Sequence, residues 1–207
     1  MKEYPMPFNT PMVQAILERL KTQTRRVVKK PFSEWINDKN IKTEWADSLP
    51  SQCPYGQPGD LLYVRETWMK NPNIEWFPNE PIYFKASKSA QFLKEWPRSW
   101  KPSIHMPKAV ARIWLEIEEV KVERLQDISE EDAKAEGVSP DLATDHPKGV
   151  YYTAFSDLWS KINGNGSWIS NPWVWVIKFK VLSTTGKPSF DSAQDDKQPE
   201  TSNQQLV

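Results

Sequence analysis

A single cysteine, Cys53, in 207 residues excludes an internal disulfide and any cysteine-rich zinc site. Histidine is nearly as scarce, and His105 and His146 stand in separate loops with no carboxylate motif beside them, so neither a metal nor another cofactor is expected. Excess charge is also missing: Lys+Arg and Asp+Glu balance at 27 each. General duplex binding relies on many unpaired cations, and this chain does not advertise it. No run approaches the roughly 18 apolar residues of a membrane span, and the N-terminus lacks a cationic segment followed by an apolar stretch. The expectation is a cytoplasmic protein with no membrane partner.

What is abundant is tryptophan, eleven residues of it. Each indole can bury about 150–250 Å² and brings an N–H that needs an acceptor. The cations are concentrated rather than numerous. Lys21-Thr22-Gln23-Thr24-Arg25-Arg26 gathers an amine, two hydroxyls and two guanidinium groups behind a helix that opens at Thr10-Pro11 and carries Met12, Ala15, Ile16 and Leu20 at helical spacing. The run reads either as a ligand-facing turn or short strand, or as a solvated basic end to that helix.

The spacing of branched and aromatic residues predicts strands over Asp60–Glu66, Ile82–Ala86, Ala109–Val122 and Trp173–Val181. A capping arrangement at Ser129 opens a helix that closes at Gly137, and Phe155, Leu158, Trp159 and Ile162 form one apolar helical face ending at Gly164. Trp173 and Trp175 share strand parity and therefore a face. From Ser183 to Val207 the chain is polar and cannot offset the entropy of folding. There is no internal repeat.

KTQTRR, CPYGQPGDLLYVRETW (Cys53 to Trp68), WKPSIHMPKAVARI (Trp100 to Ile113), VERLQDISEEDAKAEGV (Val122 to Val138) and NPWVWVIKFK (Asn171 to Lys180) together resemble the ASCH domain of the PUA-like superfamily, in the long form carried by bacteriophages and prophages. The resemblance spans about residues 5 to 182. It implies an α+β fold: a mixed, mostly antiparallel β-barrel with helices at its rims and a groove beside the first helix. One domain over residues 1–182 then carries irregular insertions at about 28–58 and 69–102, followed by a tail at 183–207. Trp35 and Trp45 fall in the first insertion.

The same resemblance implies a triad of Lys21, Thr24 and Glu136, similar to that of small amidohydrolases that remove acetyl from N4-acetylcytidine. A threonine hydroxyl needs a base to become a nucleophile, and a lysine serves only if part of it is neutral. Arg25 and Arg26 depress the Lys21 pKa and Glu136 raises it. A plain Lys21–Glu136 salt bridge is the competing reading. Arg65, Glu66 and Trp68 are further candidates for binding phosphate or stacking on a base. This chain departs from the small enzymes in length and in Arg19, which stands where they carry glycine.

Three functions are compatible with these residues. The first is recognition of RNA, single-stranded nucleic acid or a modified nucleobase. The second is the amidohydrolase, and the third a non-catalytic accessory protein that binds a protein partner through its tryptophan-rich insertions.

Overall fold

The computed structural model describes residues 1–37, 49–72, 74–75, 79–95, 100–140 and 146–189, with the side chains of 35–37 excepted. Trp45 and the side chain of Trp35 lie outside that set. Five strands form the main sheet: β1 (Glu3–Pro7), β2 (Gln23–Val27), β3 (Leu61–Arg65), β6 (Trp114–Arg124) and β7 (Trp173–Ser183). Their order is β1-β3-β6-β7-β2, and only the β1/β3 pair is parallel. β4 (Trp68–Lys70) and β5 (Ile82–Phe84) make a separate antiparallel hairpin inside the second insertion. Among the described residues the α-helices are α1 (Thr10–Leu17), α2 (Phe32–Asn37), α3 (Ala90–Glu95), α4 (Glu130–Ala135) and α5 (Val150–Asn163).

The sheet is mixed and mostly antiparallel as expected, but it is not closed into a barrel. β1 and β2 are its two edges and share no ladder. Pro5 and Pro7 lack the N–H a ladder needs, so β1 suits an edge. α1 joins the two edges in sequence, and Arg26 links β2 to β1 by donating from Nη2 to the Pro7 carbonyl at 2.8 Å.

Both faces of the sheet are covered, and β7 shows why. Trp175, Ile177 and Phe179 point to the face packed by Val13 and Ile16 of α1, whereas Val174 and Val176 point to Ala133 of α4 and to Phe155 and Trp159 of α5. A bulge in β6 between Ile117 and Glu119 inverts the alternation midway. Leu115 and Ile117 face the α1 side before it, and Val120 and Val122 after it. Glu118 is the extra residue, and its insertion turns Lys121 and Glu123 toward the helices of the opposite face.

Helix ends follow local chemistry. The cap of α1 is Asn9, whose Oδ1 accepts from Met12 N at 3.0 Å, one residue earlier than the Thr10 cap expected. Ser129 caps α4 as expected, accepting from Asp132 N at 3.0 Å. Arg19 adopts φ 62° in the turn after α1. The turn is therefore of the left-handed kind that glycine favours, and a side chain tolerates it at a cost of about 1–2 kcal/mol. Arg19 Nη1 donates to the Val181 carbonyl at 3.1 Å in partial compensation.

Cys53 is buried, and burial pushes its thiol up to about 11, which makes it a packing residue.

The body extends past the compositional boundary at residue 183. Ser183 pairs with Trp114, Gly186 N donates to the Arg112 carbonyl at 2.9 Å, and Lys187 lies 2.8 Å from Glu3. Truncation after Ser189 should leave Tm within about 1 °C of the full chain. Truncation after Leu182 should lower it by about 3–8 °C, since one main-chain hydrogen bond and a surface ion pair are lost. Thermal melts of the two proteins check this.

Candidate binding cleft and its ionic support

The KTQ run closes the C-terminal end of α4. A helix leaves its last carbonyls without partners. Here Gln23 Nε2 donates to the Asp132 carbonyl at 2.6 Å, Thr22 N to that of Ala135 at 2.9 Å, and Lys21 Nζ to that of Glu136 at 2.8 Å. Lys21 is fully buried, and its Nζ also lies 2.7 Å from Glu136 Oε2 and 5.7 Å from the centre of the Phe8 ring. Two oxygens and a π face are the surroundings of an ammonium. Burial holds the Lys21 pKa below its ordinary value, with Glu136 opposing the shift.

Arg25 is the hub of the network. Its Nη1 donates to Glu136 Oε1 at 3.0 Å, its Nη2 to Glu123 Oε1 at 2.6 Å and to Asp132 Oδ2 at 3.1 Å. Lys121 adds a cation 3.3 Å from Glu123 and 3.8 Å from Asp132. Three carboxylates thus meet three cations, with Lys21, Arg25 and Glu136 buried and Lys121, Glu123 and Asp132 half-buried around them. Burial lowers the Arg25 pKa, but Glu136 and Glu123 outweigh it and hold the guanidinium above its ordinary range. For Asp132, burial raises the pKa and is outweighed by Arg25 and Lys121.

A narrow cleft of about 70 Å³ opens where the β2 edge lies between the two helical layers. Thr24 and Arg26 enter it from the α1 side and Arg25 from the α5 side; Glu136 stands in its wall. Met12 of α1 and Phe155, Leu158, Trp159 and Ile162 of α5 supply the apolar walls. Phe179 N donates to the Thr22 carbonyl and Val28 N to that of Trp173. The even-numbered residues therefore carry the ladder to β7, and Gln23, Arg25 and Val27 turn their main-chain N–H and C=O groups to the open edge.

Arg26 differs from Arg25. It bonds the Pro7 carbonyl and Met6 Sδ and lies 5.2 Å from the Phe8 ring centre. No carboxylate among the described residues pairs with it, so its charge is left to the cleft. Burial keeps its pKa below the ordinary value, with Tyr55 and Glu136 opposing. The Trp159 indole N–H is buried and has no acceptor among the described residues.

Of the expected triad, Thr24 and Glu136 share the cleft wall, while Lys21 lies behind Glu136 and does not line it. Arg65, Glu66 and Trp68 are elsewhere. β6 and β7 separate their strand end from β2 in the sheet. Glu66 receives Arg112 Nε at 2.8 Å and Nη2 at 2.9 Å, Arg65 donates to the Ile104 carbonyl, and Trp68 packs on Met106 and Ala111. Glu123, Asp132 and Lys121 were not legible as site residues, because the bulge that turns Lys121 and Glu123 toward Arg25 leaves only an irregular alternation in sequence. The α5 wall was legible as an apolar helical face, though not as part of a cleft.

In structure, the chain is similar to an ASCH domain from Lactobacillus crispatus JV V101 known from a high-resolution crystal structure. The two are 14% identical over 88% of this chain and 80% of that one, with a TM-score of 0.36. No protein-family model and no curated protein matches the sequence.

Proposed function

We propose that the cleft binds a single nucleobase, presented by a single-stranded nucleic acid or as a modified nucleoside. The observation that carries this reading is the pairing of groups around one space. The Glu136 carboxylate, fixed by Lys21 and Arg25, lines the same cleft as Phe155 and Trp159 of α5, and the Arg26 guanidinium, which has no carboxylate bonded to it among the described residues, enters from the opposite, α1 side. A held carboxylate accepts from ring or exocyclic N–H groups, the rings offer a stacking surface, and the guanidinium suits a phosphate. The outward main chain of β2 adds donors and acceptors in a plane.

Titration of short single-stranded oligonucleotides and a set of modified nucleosides tests it. Trp159→Ala should weaken the best ligand by about 5- to 150-fold, the range of one lost base–aromatic stack. Arg26→Ala should weaken oligonucleotides and reduce the salt slope by about one, while changing nucleoside affinity little. Wild-type protein that binds none of these probes, or variants that bind like wild type, would overturn the reading.

A second reading, hydrolysis of an N-acylated base, rests on Thr24 and Glu136 lining the same cleft. Lys21 is poorly placed as its base, since its amine is spent on two Glu136 oxygens. With Lys21 occupied, the version left is water activated by Glu136 with Thr24 positioning the acyl group. Acetate release from N4-acetylcytidine by the wild type, surviving in Thr24→Ala, would support that version; no release from the wild type ends it.

A further inference from the structure

Met12 and Leu158 stand in the walls of two depressions. Beyond this pair, a second one of about 340 Å³ runs along α1 past Gln14 to Glu18, with Ser139 and Ala154 also in its walls. The two are chemically unlike. The first carries aromatic rings and two arginines. Among the described residues the second has neither aromatic, lysine nor arginine in its walls, and its one charge is Glu18.

Glu18 is placed against local stability. It is the C-cap residue of α1, whose last turn has no basic residue, so its carboxylate meets the negative end of the helix dipole. Among the described residues no cation pairs with it. The neighbouring Arg19 instead turns to the Val181 carbonyl. A carboxylate there repels phosphate, so the second depression does not continue a backbone path. Without rings it offers no stack for a second base. Walls of mixed aliphatic and neutral polar residues leading to a carboxylate with no cation paired to it among the described residues match an alkyl amine.

On the reading that the cleft holds a base, we infer that the second depression takes an amine-bearing arm carried by that base, crossing the saddle between Met12 and Leu158, with Glu18 as its counter-ion. Met12 suits a saddle, since an unbranched thioether side chain adapts to what passes over it. The ligand class is a nucleobase with an aminoalkyl substituent.

The test uses the full chain and three probes: uridine, 5-aminoallyluridine and 5-carboxymethyluridine, with the cytidine counterparts of the first two in parallel. Wild type should bind the aminoallyl probe about three- to fivefold more tightly than the parent nucleoside, an advantage that shrinks in high salt, as an exposed ion pair does. Glu18→Gln should cancel that ratio, and Glu18→Lys should transfer the preference to the carboxymethyl probe. Neither change should lower Tm, because a neutral or basic residue suits that helix end better. Equal affinity for parent and aminoallyl probes overturns the inference while leaving the cleft reading intact. A ratio that persists in Glu18→Lys also overturns it. Failure of wild type to bind any of these probes overturns the inference, and the base-binding reading falls with it only if the oligonucleotides also fail to bind.

Discussion

Glu136→Ala should cost about 3–5 kcal/mol of folding stability, the price of leaving a buried charge without its partner. For a body of this size that is a fall in Tm of about 6–20 °C. Lys21 would keep the main-chain carbonyl of residue 136 and the Phe8 ring, while Arg25 would retain Glu123 and Asp132. Replacing both partners by apolar residues, Lys21→Met with Glu136→Leu, should recover about half the loss or more. The single variant also has a pH signature. In the wild type, burial lowers the Lys21 pKa and Glu136 opposes the shift, so without Glu136 the lysine falls further below its unfolded value of 10.5. The folded state then binds fewer protons than the unfolded state, and stability rises with pH as it climbs toward 10.5. Denaturant melts at neutral and alkaline pH check both effects. A loss below about 1 kcal/mol at neutral pH would mean the pair is solvated and the cluster is not a support for the cleft.

Gly137→Ala should be nearly as damaging, at about 2–5 kcal/mol. Gly137 has φ 76°, and a Cβ there would sit 2.7 Å from Lys21 Cβ and 2.8 Å from Ala15 Cβ. Left-handed backbone accounts for about 1–2 kcal/mol, and overpacking between α1 and the turn after α4 for about 1–3 kcal/mol. The contacts are with Cβ atoms near the backbone, so relief requires α4 to move away from β2. Such movement would loosen the three helix-end hydrogen bonds made by Lys21, Thr22 and Gln23. Ligand affinity should fall together with stability in this variant, whereas Trp159→Ala should affect affinity more. Unchanged thermal stability in Gly137→Ala would show that this junction is not tightly packed.

Much of the chain was legible where a local rule decides the outcome. Ser129 and Gly137 bracket α4 because capping and left-handed backbone need only a few neighbouring residues. The branched and aromatic run of β7 is strand in any context, and the apolar face of α5 follows from helical spacing. β1 was hidden for the same reason: Pro5 and Pro7 argue against a strand locally, and only pairing with β3 makes one. Arg19 shows a local rule overridden, since a backbone shape suited to glycine is held by the packing around it and by its bond to Val181.

By itself the sequence determined β7, the apolar face of α5, the Ser129 cap of α4 and the cation-rich run at Lys21 to Arg26, all of which depend on short-range chemistry. Tertiary structure decided that the sheet stays open, that the edge of β2 becomes the floor of a cleft, and that Arg25 is caged while Arg26 is left uncompensated. Neighbours in sequence, these two arginines project to opposite faces of a strand, and the layers packed there differ: three carboxylates gathered around Arg25 by the β6 bulge and α4, an aromatic ring and a carbonyl beside Arg26. Strand parity could be read from the chain, but which partners lie across the sheet depends on contacts about 100 residues away along it, and no local propensity encodes those.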